Sequence, residues 1–487
     1  MKKYIILLAV LSFITLTIIP FIVSRLTVWF SFVAGVAMAF VLTFVYLRKK
    51  SFYREDIRRE RAPLLSLSLV VVPAATGVVS LIEGYNIFQE WFKPLLISSF
   101  TITFFINLFS IPMALRTSFL EEQLEKEPVY ITSVSVIIPA YNEEKWIGKT
   151  IEALLESDYP NLEIIVVDDG STDRTYEIAS QYRKRGVIVL RKENGGKASA
   201  INYGLLYARG EIIFTVDADS LVSKNAISLM TSYFRDRRVV GVAGNVRVFN
   251  RVNWLTGNQA LEYVTQINLL RRATSTFGVV QVMPGPLSAF RKEVLTGLGR
   301  YDKDTVTEDF DITVKLLKSG GIVQAPTKAL AYTEAPTSLR DFYRQRIRWY
   351  RGNVQVFLKH RDAFTNPRFG FLNYVIYPLL FIQEFVIPTL GILTIPAAIF
   401  VIASGGLYWI INLILALILL QSFLSLIALE LEDEDVRLVQ YAPFAVYGYK
   451  HLLDAFMLKA IIDIVFLRRR VSWTRARKMG YEVLAQH

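Results

Sequence analysis

The chain has 487 residues, of which 53% are hydrophobic and 20% charged, and a formal net charge of +12. It is too apolar for an ordinary soluble enzyme, so the composition predicts a membrane protein with several domains. Lys and Arg cluster beside the apolar segments, which indicates contact with anionic lipid and argues against a nucleic-acid-binding protein.

Residues 1–120 are predicted to form about four transmembrane helices. Apolar runs lie at about 5–23, 27–46, 64–82 and 95–115. The first run is interpreted as an uncleaved helix, because it is about long enough to span a bilayer and lacks a small-residue cleavage site. A basic loop at 48–61 puts the amino terminus and the loop in the cytoplasm by the positive-inside rule, and the chain returns there near residue 120.

Between about residues 130 and 365, short apolar strands alternate with amphipathic stretches, which predicts a cytoplasmic α/β domain with a mostly parallel, Rossmann-like sheet. The predicted strands lie at 135–138 (ended by Pro139), 163–167 and 187–190, and the predicted helices at 143–156 and 196–208. Thr172 or Asp173 is expected to cap the helix after the second strand. The sequence has no P-loop and no Gly-x-Gly-x-x-Gly, which disfavours an ATPase or a dinucleotide-binding protein.

The apolar run at 212–216 predicts a buried strand, and Asp217-Ala218-Asp219 follows it. In an extended chain residues i and i+2 point the same way, so both carboxylates are expected to project from the carboxyl end of the sheet. The chain has 0 Cys and 3 His, which leaves oxygen ligands suited to Mg²⁺ or Mn²⁺. Taken alone, a solvated turn explains this motif equally well.

Two other loops follow predicted strands and carry acidic or amide groups, namely Tyr141-Asn142-Glu143 and Asp168-Asp169. A carboxylate of the second loop could accept hydrogen bonds from a base imide N–H or a ribose hydroxyl. Lys197, at the start of a predicted helix, could reach a diphosphate as a point charge.

Thr307-Glu308-Asp309 opens a predicted helix, with Thr307 as its N-cap. A carboxylate at a helix start lies at the positive end of the helix dipole and tends to stay ionised, as a general base must before it takes a hydroxyl proton. A helix-capping box is the alternative explanation of the same residues.

Gln345, Arg348 and Trp349 are spaced i, i+3 and i+4, so they share one face of a predicted helix. That face offers an amide, a guanidinium suited to diphosphate and an indole suited to a sugar ring. The alternative is an amphipathic helix that extends its arginines along a membrane surface.

After residue 365 the chain is predicted to return to the membrane as transmembrane and interface helices at 366–470, followed by a basic cytoplasmic tail at 471–487. The run at 371–403 is too long for one upright helix and short for two, so an interface helix followed by a span is one solution. The run at 407–429 predicts a simple span.

The apolar segment at 441–467 contains two i, i+4 pairs of opposite charge, Lys450–Asp454 and Lys459–Asp463. Either these pairs neutralise each other inside a helix bundle, or the segment lies along the membrane interface.

Five motifs together resemble the processive family-2 glycosyltransferases, the group of cellulose, chitin, hyaluronan and poly-N-acetylglucosamine synthases. In chain order they are Pro-Ala-Tyr-Asn-Glu at 139–143, Asp-Asp-Gly-Ser at 168–171, Asp-Ala-Asp at 217–219, Thr-Glu-Asp at 307–309 and Gln-Arg-x-Arg-Trp at 345–349. The resemblance covers about residues 130–360 and implies a GT-A fold between amino- and carboxyl-terminal membrane helices.

The resemblance also implies roles for individual residues. The nucleotide-sugar would be bound by Pro139, Ala140, Tyr141, Glu143, Asp168, Asp169, Lys197, Asp217, Ala218 and Asp219. Of these, Asp217 and Asp219 would also hold the metal. The catalytic pair would be Glu308 and Asp309, with Asp309 as the base.

The resemblance assigns the acceptor end of the polymer and the leaving diphosphate to Gln345, Arg348 and Trp349. Residues 281–290 resemble the acceptor-pocket loop of the family, in which Gly285 and Pro286 would let the backbone approach a sugar. A plain turn explains these two residues almost as well.

Transfer from a nucleotide-α-sugar needs a cation that neutralises the leaving diphosphate and one carboxylate that deprotonates the attacking hydroxyl. A single base opposite the leaving group implies inversion and a β-linkage. The resemblance therefore implies a multi-pass plasma-membrane enzyme that takes a UDP-sugar, extends a polysaccharide and passes it through its own helices. The extra pair of amino-terminal spans departs from the best-known members of the family. The basic loop at 48–61 could contact a partner or lipid, and an accessory membrane subunit is a candidate partner.

Two other functions remain compatible with the sequence. One is a non-processive transferase that uses a lipid-phosphate acceptor and shares the nucleotide-binding motifs. The other is a non-catalytic membrane scaffold or transporter with a degenerate transferase domain.

Overall fold

The computed structural model describes residues 106, 110–124, 126–160, 162–405, 407–469 and 480. The predicted helices at 5–23, 27–46 and 64–82, most of the one at 95–115, and the basic tail apart from Gly480 lie outside these residues. The chain divides into two compact units, Met1–Met113 with Tyr377–Lys459 and Ala114–Ile376 with Ala460–His487.

The second unit contains ten described strands. They are β1 (Val134–Ala140), β2 (Leu162–Asp168), β3 (Ile188–Arg191), β4 (Ile212–Thr215), β5 (Ser220–Val222), β6 (Val239–Ala243), β7 (Asn245–Val248), β8 (Ser288–Arg291), β9 (Ile322–Gln324) and β10 (Leu330–Thr333). Seven form one sheet in the order β3-β2-β1-β4-β8-β6-β9, and three form another in the order β5-β10-β7. In the larger sheet β8 runs antiparallel to both neighbours and the other pairs are parallel, which confirms the predicted mostly parallel α/β fold.

Helices cover this sheet and connect its strands. They are α1 (Ile147–Leu155), α2 (Thr175–Ser180), α3 (Lys197–Leu205), α4 (Ala226–Ser232), α5 (Trp254–Glu262), α6 (Leu269–Ser275), α7 (Lys292–Gly297), α8 (Glu308–Lys318), α9 (Leu339–Lys359) and α10 (Asp362–Thr365). A π-helical turn, Tyr263–Asn268, joins α5 to α6, and further short helical turns lie at Gln181–Arg185, Tyr233–Arg235, Pro367–Phe369, Leu372–Ile376 and Ile462–Phe466. A helix at 110–124 precedes β1.

The centre of the sheet is fully buried because its strands are continuous apolar runs. Ile137 of β1 and Phe214 of β4 are both 0% exposed, as expected for parallel strands with helices on both faces. Helix α3 packs closely on β1 at Gly204, where an added Cβ would lie 2.7 Å from Ile137 Cγ2. This close packing fixes the start of α3, and with it Lys197, near the carboxyl ends of the central strands.

The sequence located these elements but misplaced several of their ends. Strand β1 continues past Pro139 to Ala140. The proline is tolerated because the pairing of β1 with β4 stops at Ile137, so that edge of β1 needs no backbone N–H at residue 139. The helix predicted at 143–156 begins only at Ile147, since the N–H groups of Trp146 and Ile147 both bond the Glu143 carbonyl in a preceding turn. Helix α3 ends at Leu205, short of the predicted 208.

The remaining described helices follow the second unit's α10 in the chain. They are α11 (Tyr377–Phe381), α12 (Ile387–Ala403), α13 (Leu407–Leu431), α14 (Ala442–Val446) and α15 (Tyr449–Ile461), with a π-helical turn at Ile382–Val386 and a short 3-10 helix at Val436–Tyr441. Helix α13 occupies the run predicted as a simple span, and its crossing of a membrane stays a prediction.

In the part of the chain that the structure describes, one helical stretch, Leu372–Ala403, is long and apolar enough to cross a membrane. The sequence offered an interface helix followed by a span as one solution here. The stretch is helical throughout, and its division into an interface helix and a span stays a prediction. Pro388 does not break it, because the proline lies in the first turn of α12, directly after the π-helical turn, where its missing N–H is tolerated.

The charged residues of the last apolar segment have partners. Lys450 Nζ lies 2.5 Å from Asp454 Oδ2, which confirms one of the two predicted i, i+4 pairs. Asp463, which is 1% exposed, accepts a hydrogen bond from Arg351 Nε of α9 at 3.0 Å. The charge of this carboxylate is therefore neutralised from the helix that carries the Gln-Arg-x-Arg-Trp motif.

Candidate active site

The first two motifs form one hydrogen-bonded edge at the carboxyl ends of β1 and β2. Ala140 lies opposite Asp168 in the parallel register, and the Asp169 N–H bonds the Ala140 carbonyl at 2.8 Å. Asn142 follows Pro139, Ala140 and Tyr141 in the first loop. Its side-chain oxygen accepts the Thr172 N–H at 2.7 Å. The Glu143 N–H donates to Thr175 Oγ1 at 2.7 Å. These bonds fix the two loops relative to each other.

Asp168 and Asp169 are buried and already have cationic or N–H partners. Asp168 Oδ2 lies 3.0 Å from Arg191 Nε, and Asp169 Oδ1 lies 2.6 Å from Lys192 Nζ. Asp169 Oδ2 also accepts the N–H of Gly196 at 2.7 Å. The two carboxylates therefore shape the loop that leads into α3, and their contact with a nucleotide base stays a prediction. Neither Thr172 nor Asp173 is the N-cap of α2, because that position is Arg174, which makes no side-chain capping bond. Asp173 does accept the Thr175 N–H at 3.0 Å.

The Asp-x-Asp motif lies in a turn and not in an extended strand, which corrects the geometry expected from the sequence. Strand β4 ends at Thr215, and the Ser220 N–H bonds the Asp217 carbonyl at 3.1 Å. Thr150 Oγ1 donates to the Ala218 carbonyl at 2.8 Å and holds the turn against α1.

The two carboxylates of this turn remain close enough to repel each other. Burial raises the pKa of Asp217, the Lys197 ammonium acts against that rise, and the negative charge of Asp219 adds to it. Asp219 is itself only 9% exposed. A hard divalent cation would relieve this repulsion, so the donor set fits Mg²⁺ or Mn²⁺.

Lys197 joins the Asp-x-Asp turn to the Thr-Glu-Asp motif. Its Nζ lies 2.6 Å from Asp217 Oδ1 and 3.0 Å from Glu308 Oε1. Burial opposes the charge of this ammonium, but the carboxylates around it, including that of Asp309, outweigh burial and hold the pKa of Lys197 well above its usual range. The third and fourth motifs are therefore linked through one lysine.

Asp309 lies at the start of α8, but the helix start does not keep its pKa low. Burial, followed by the charge of Glu308, raises the pKa of Asp309 to about 6. Thr307 occupies the N-cap position without a side-chain capping bond, so the capping-box alternative is wrong. Asp309 Oδ1 instead accepts the N–H of Phe310 at 2.8 Å.

Helix α9 packs directly on the start of α8. A Cβ added to Gly352 of α9 would lie 2.5 Å from Thr307 Cγ2, so only glycine allows this approach. On the same helix, burial lowers the pKa of Arg348, while the carboxylates of the third and fourth motifs act against that shift. Arg348 is therefore within electrostatic reach of both acidic motifs.

Arg346 is a residue of this site that the sequence reasoning did not assign. It is 2% exposed, and its Nη2 lies 2.8 Å from Glu262 Oε2 at the end of α5. Its guanidinium carbon lies 4.7 Å from the ring centroid of Trp349. The i, i+3 spacing from Arg346 to Trp349 was a signal for this contact, whereas nothing local pointed to Glu262.

Gly285 brings its backbone against the Lys197–Asp217 pair. A Cβ added there would lie 2.6 Å from Lys197 Nζ and 2.9 Å from Asp217 Oδ2. Gly285 and Pro286 form a turn just before β8. The sequence predicted that the backbone of Gly285 approaches a sugar. The structure shows this backbone close to the Lys197–Asp217 ion pair.

On α9, the amide oxygen of Gln345 is buried and has no hydrogen-bond partner among the described residues. The Thr307 hydroxyl oxygen shares this property within the same part of the chain. Buried polar atoms without partners are uncommon, so both are candidate contacts for a bound molecule.

A separate acidic cluster lies beside the site and was not found from the sequence. Carboxylate oxygens of Asp302, Asp304 and Asp311 lie within 4.8 Å of one another. Lys359 Nζ, at the end of α9, lies 2.8 Å from Asp302 and 2.9 Å from each of the other two. The Lys359 ammonium thus neutralises part of the negative charge of this cluster, and its contact with Asp311 connects the end of α9 to α8.

Residues 135–299 match the family model described as Glycosyl transferase family 2. The chain is 30% identical over 263 residues to a poly-beta-1,6-N-acetyl-D-glucosamine synthase of Staphylococcus epidermidis, with 53% of this chain and 63% of that relative covered. It is also 30% identical over 256 residues to the synthase of the same name from Staphylococcus aureus strain COL, with 52% and 61% covered. The chain thus spans about three fifths of the length of these relatives.

Among solved structures, the fold is similar to that of a mannosyltransferase from Pyrobaculum calidifontis in complex with GDP-Man and Mn²⁺. The TM-score is 0.53 at 22% identity, with 75% of this chain and 100% of that chain covered. This similarity concerns the fold alone. The family match includes the first three motifs, while the Thr-Glu-Asp and Gln-Arg-x-Arg-Trp motifs lie beyond it. The chain thus carries a family 2 glycosyltransferase domain of GT-A-like α/β fold at residues 135–299, as the motifs predicted, while membership of the processive group stays a prediction.

Proposed function

We propose that the chain is an inverting, processive glycosyltransferase that transfers a sugar from a UDP-sugar to a growing β-linked polysaccharide. The observation that carries this proposal is the Lys197 ammonium, 2.6 Å from Asp217 and 3.0 Å from Glu308. This contact joins the acidic turn suited to a metal–diphosphate to the acidic pair suited to base catalysis. Arg348 on α9 is within electrostatic reach of both.

The donor side of the site is Asp217, Asp219, Lys197 and Arg348. The two carboxylates would hold Mg²⁺ or Mn²⁺, and the bound cation supplies neutralisation of the charge on the leaving diphosphate. Lys197 and Arg348 would bind phosphate oxygens, as an ammonium point charge and a planar guanidinium fork. The Mn²⁺ in the complex of the Pyrobaculum calidifontis mannosyltransferase is consistent with such a site.

The base side of the site is Asp309, with Glu308 beside it. A carboxylate with a pKa of about 6 is largely ionised at neutral pH and still close enough to the operating pH for efficient proton transfer. Asp309 would take the proton of the acceptor hydroxyl as that oxygen attacks the sugar. One base opposite the leaving group gives inversion and a β-linkage.

The acceptor side of the site is the face of α9 that carries Gln345 and Trp349. Trp349 offers an aromatic plane on which a sugar ring can stack, and Arg346 supports that indole at 4.7 Å. The buried Gln345 amide oxygen is an acceptor available for a sugar hydroxyl. These groups lie on the helix that also contacts the start of α8 through Gly352, close to the proposed base.

The names of the relatives favour N-acetylglucosamine as the sugar and a β-1,6 linkage in the product. The apolar helix Leu372–Ala403 is a candidate part of a membrane path for the polymer. We infer a multi-pass plasma-membrane protein with the transferase domain in the cytoplasm. An accessory membrane subunit is a candidate partner.

The test is a synthesis assay with the purified full chain in detergent or in membranes. UDP-N-acetylglucosamine, UDP-glucose and UDP-glucuronate are supplied separately with Mg²⁺ or Mn²⁺, and the product is sized. Long polymer from UDP-N-acetylglucosamine is expected. Products with a single sugar on a lipid would support the lipid-phosphate acceptor instead. Undiminished cellular polymer output from Asp309→Asn would support a non-catalytic scaffold.

A further inference from the structure

Lys197 makes two contacts that matter for how a divalent cation reaches the site. Its ammonium lies 2.6 Å from Asp217 Oδ1 and 3.0 Å from Glu308 Oε1. Its side chain is 28% exposed, so it can leave this position without unfolding the helix that carries it. Asp217, a predicted metal ligand, is therefore paired with a lysine side chain that is able to move.

The turn at Gly285 and Pro286 lies close to the same carboxylate. A Cβ added to Gly285 would lie 2.6 Å from Lys197 Nζ and 2.9 Å from Asp217 Oδ2, so only glycine leaves this space open. A divalent cation at Asp217 Oδ1 would have to share that oxygen with the ammonium. Like charges on one oxygen repel strongly in a partly buried site.

A nucleoside diphosphate changes this balance. Its phosphate oxygens can accept hydrogen bonds from the Lys197 ammonium and also coordinate the cation. When the ammonium moves to the diphosphate, Asp217 Oδ1 becomes available to the metal. Because each ligand then improves the site for the other, their affinities are coupled reciprocally.

We propose that Lys197 acts as a charge gate that withholds Asp217 from the divalent cation until a nucleoside diphosphate draws the ammonium away. Cation and donor then enter the site as one unit. This inference rests on the proposed function, because it takes the Asp217-Ala218-Asp219 turn as the metal site. It adds a role for Lys197 in the order of binding.

The experiment measures Mn²⁺ affinity of the full chain in detergent by the electron paramagnetic resonance signal of free Mn²⁺, with and without UDP. For the wild type, binding at least tenfold tighter with UDP than without is expected. Lys197→Met is expected to bind Mn²⁺ without UDP at least tenfold more tightly than the wild type. The gain should disappear in the double variant Lys197→Met/Asp217→Asn.

Lys318→Met is the matched control. It removes a lysine of similar exposure, 19%. The Nζ of this lysine lies 2.7 Å from Asp362, which is not a predicted metal ligand. Its Mn²⁺ affinity without UDP should equal that of the wild type. Lys197→Gln is made in parallel, so that a folding defect in one variant, detected as a lowered unfolding midpoint, leaves the other to be measured.

The outcomes separate the inference from the proposed function. If Mn²⁺ binds with UDP, but Lys197→Met and Lys197→Gln show unchanged or weaker Mn²⁺ affinity without it, the gate is wrong and the proposed function stands. If the wild type binds no Mn²⁺ with or without UDP, the metal-dependent function and the gate both fail.

Discussion

Asp309→Asn should make the protein more stable while it abolishes sugar transfer. The pKa of Asp309 is raised from 3.8 to about 6 by burial and by the charge of Glu308. The folded state therefore holds the proton more tightly, and stability falls as pH rises from 3.8 to about 6. A displacement of about two pKa units corresponds to up to about 3 kcal/mol of lost stability at neutral pH.

Asparagine removes this cost and keeps the acceptor oxygen that bonds the Phe310 N–H. For a domain of this size, about 3 kcal/mol corresponds to a rise of roughly 6–10 °C in unfolding midpoint at pH 7.5. The difference from the wild type should shrink as pH falls below 6, because Asp309 then becomes protonated and neutral. Loss of the base should lower the transfer rate about 10²–10⁴-fold.

The assay is thermal unfolding of both proteins in detergent between pH 4.5 and 7.5. Asp304→Asn is the control, because its side chain is 64% exposed and its contact with Lys359 is a surface pair worth about 1 kcal/mol or less. An Asp309→Asn protein that is equally stable or less stable at pH 7.5 would show that the ionised Asp309 does not destabilise the fold. So would a stability gap that widens on acidification.

Three further predictions concern the same site. The pH profile of kcat/KM should show an acid limb near pH 6 that falls about tenfold per pH unit below it, since only ionised Asp309 accepts the hydroxyl proton; a flat profile from pH 5 to 7 would contradict this. Gly285→Ala should weaken UDP binding at least tenfold by calorimetry without lowering the unfolding midpoint, because the added methyl meets only the mobile ends of Lys197 and Asp217. Glu262→Gln should destabilise the domain by about 3 kcal/mol in denaturant unfolding, because it removes the carboxylate charge that lies 2.8 Å from the buried Arg346 guanidinium; a change under about 1 kcal/mol would show that this ion pair is not needed.

The sequence predicted what local patterns determine. Apolar runs located β1, β2 and β4, and the acidic motifs after them were correctly expected at the carboxyl ends of neighbouring strands. Helical spacing correctly put Gln345, Arg348 and Trp349 on one helix, α9. These features depend on residues close together in the chain, so periodicity and turn chemistry were enough to find them.

Features that depend on distant partners were missed. The Glu262–Arg346 pair and the Lys359 contacts join segments that are far apart in sequence, and no spacing rule connects them. The raised pKa of Asp309 was unexpected for the same reason, because its burial depends on the packing of the whole site. The helix dipole was the one local effect considered, and burial outweighed it.

Carboxylates from the Asp-x-Asp turn and from the start of α8 are proposed to act together in one sugar transfer. The most direct measurement is the initial rate of polymer formation from labelled UDP-N-acetylglucosamine and Mn²⁺ by the purified chain, Asp217→Asn, Asp309→Asn and the control Asp304→Asn. We expect the wild type and the control to synthesise polymer at similar rates, and each of the other two variants to lose at least 99% of the activity. Polymer synthesis at the wild-type rate by Asp217→Asn or Asp309→Asn would contradict it.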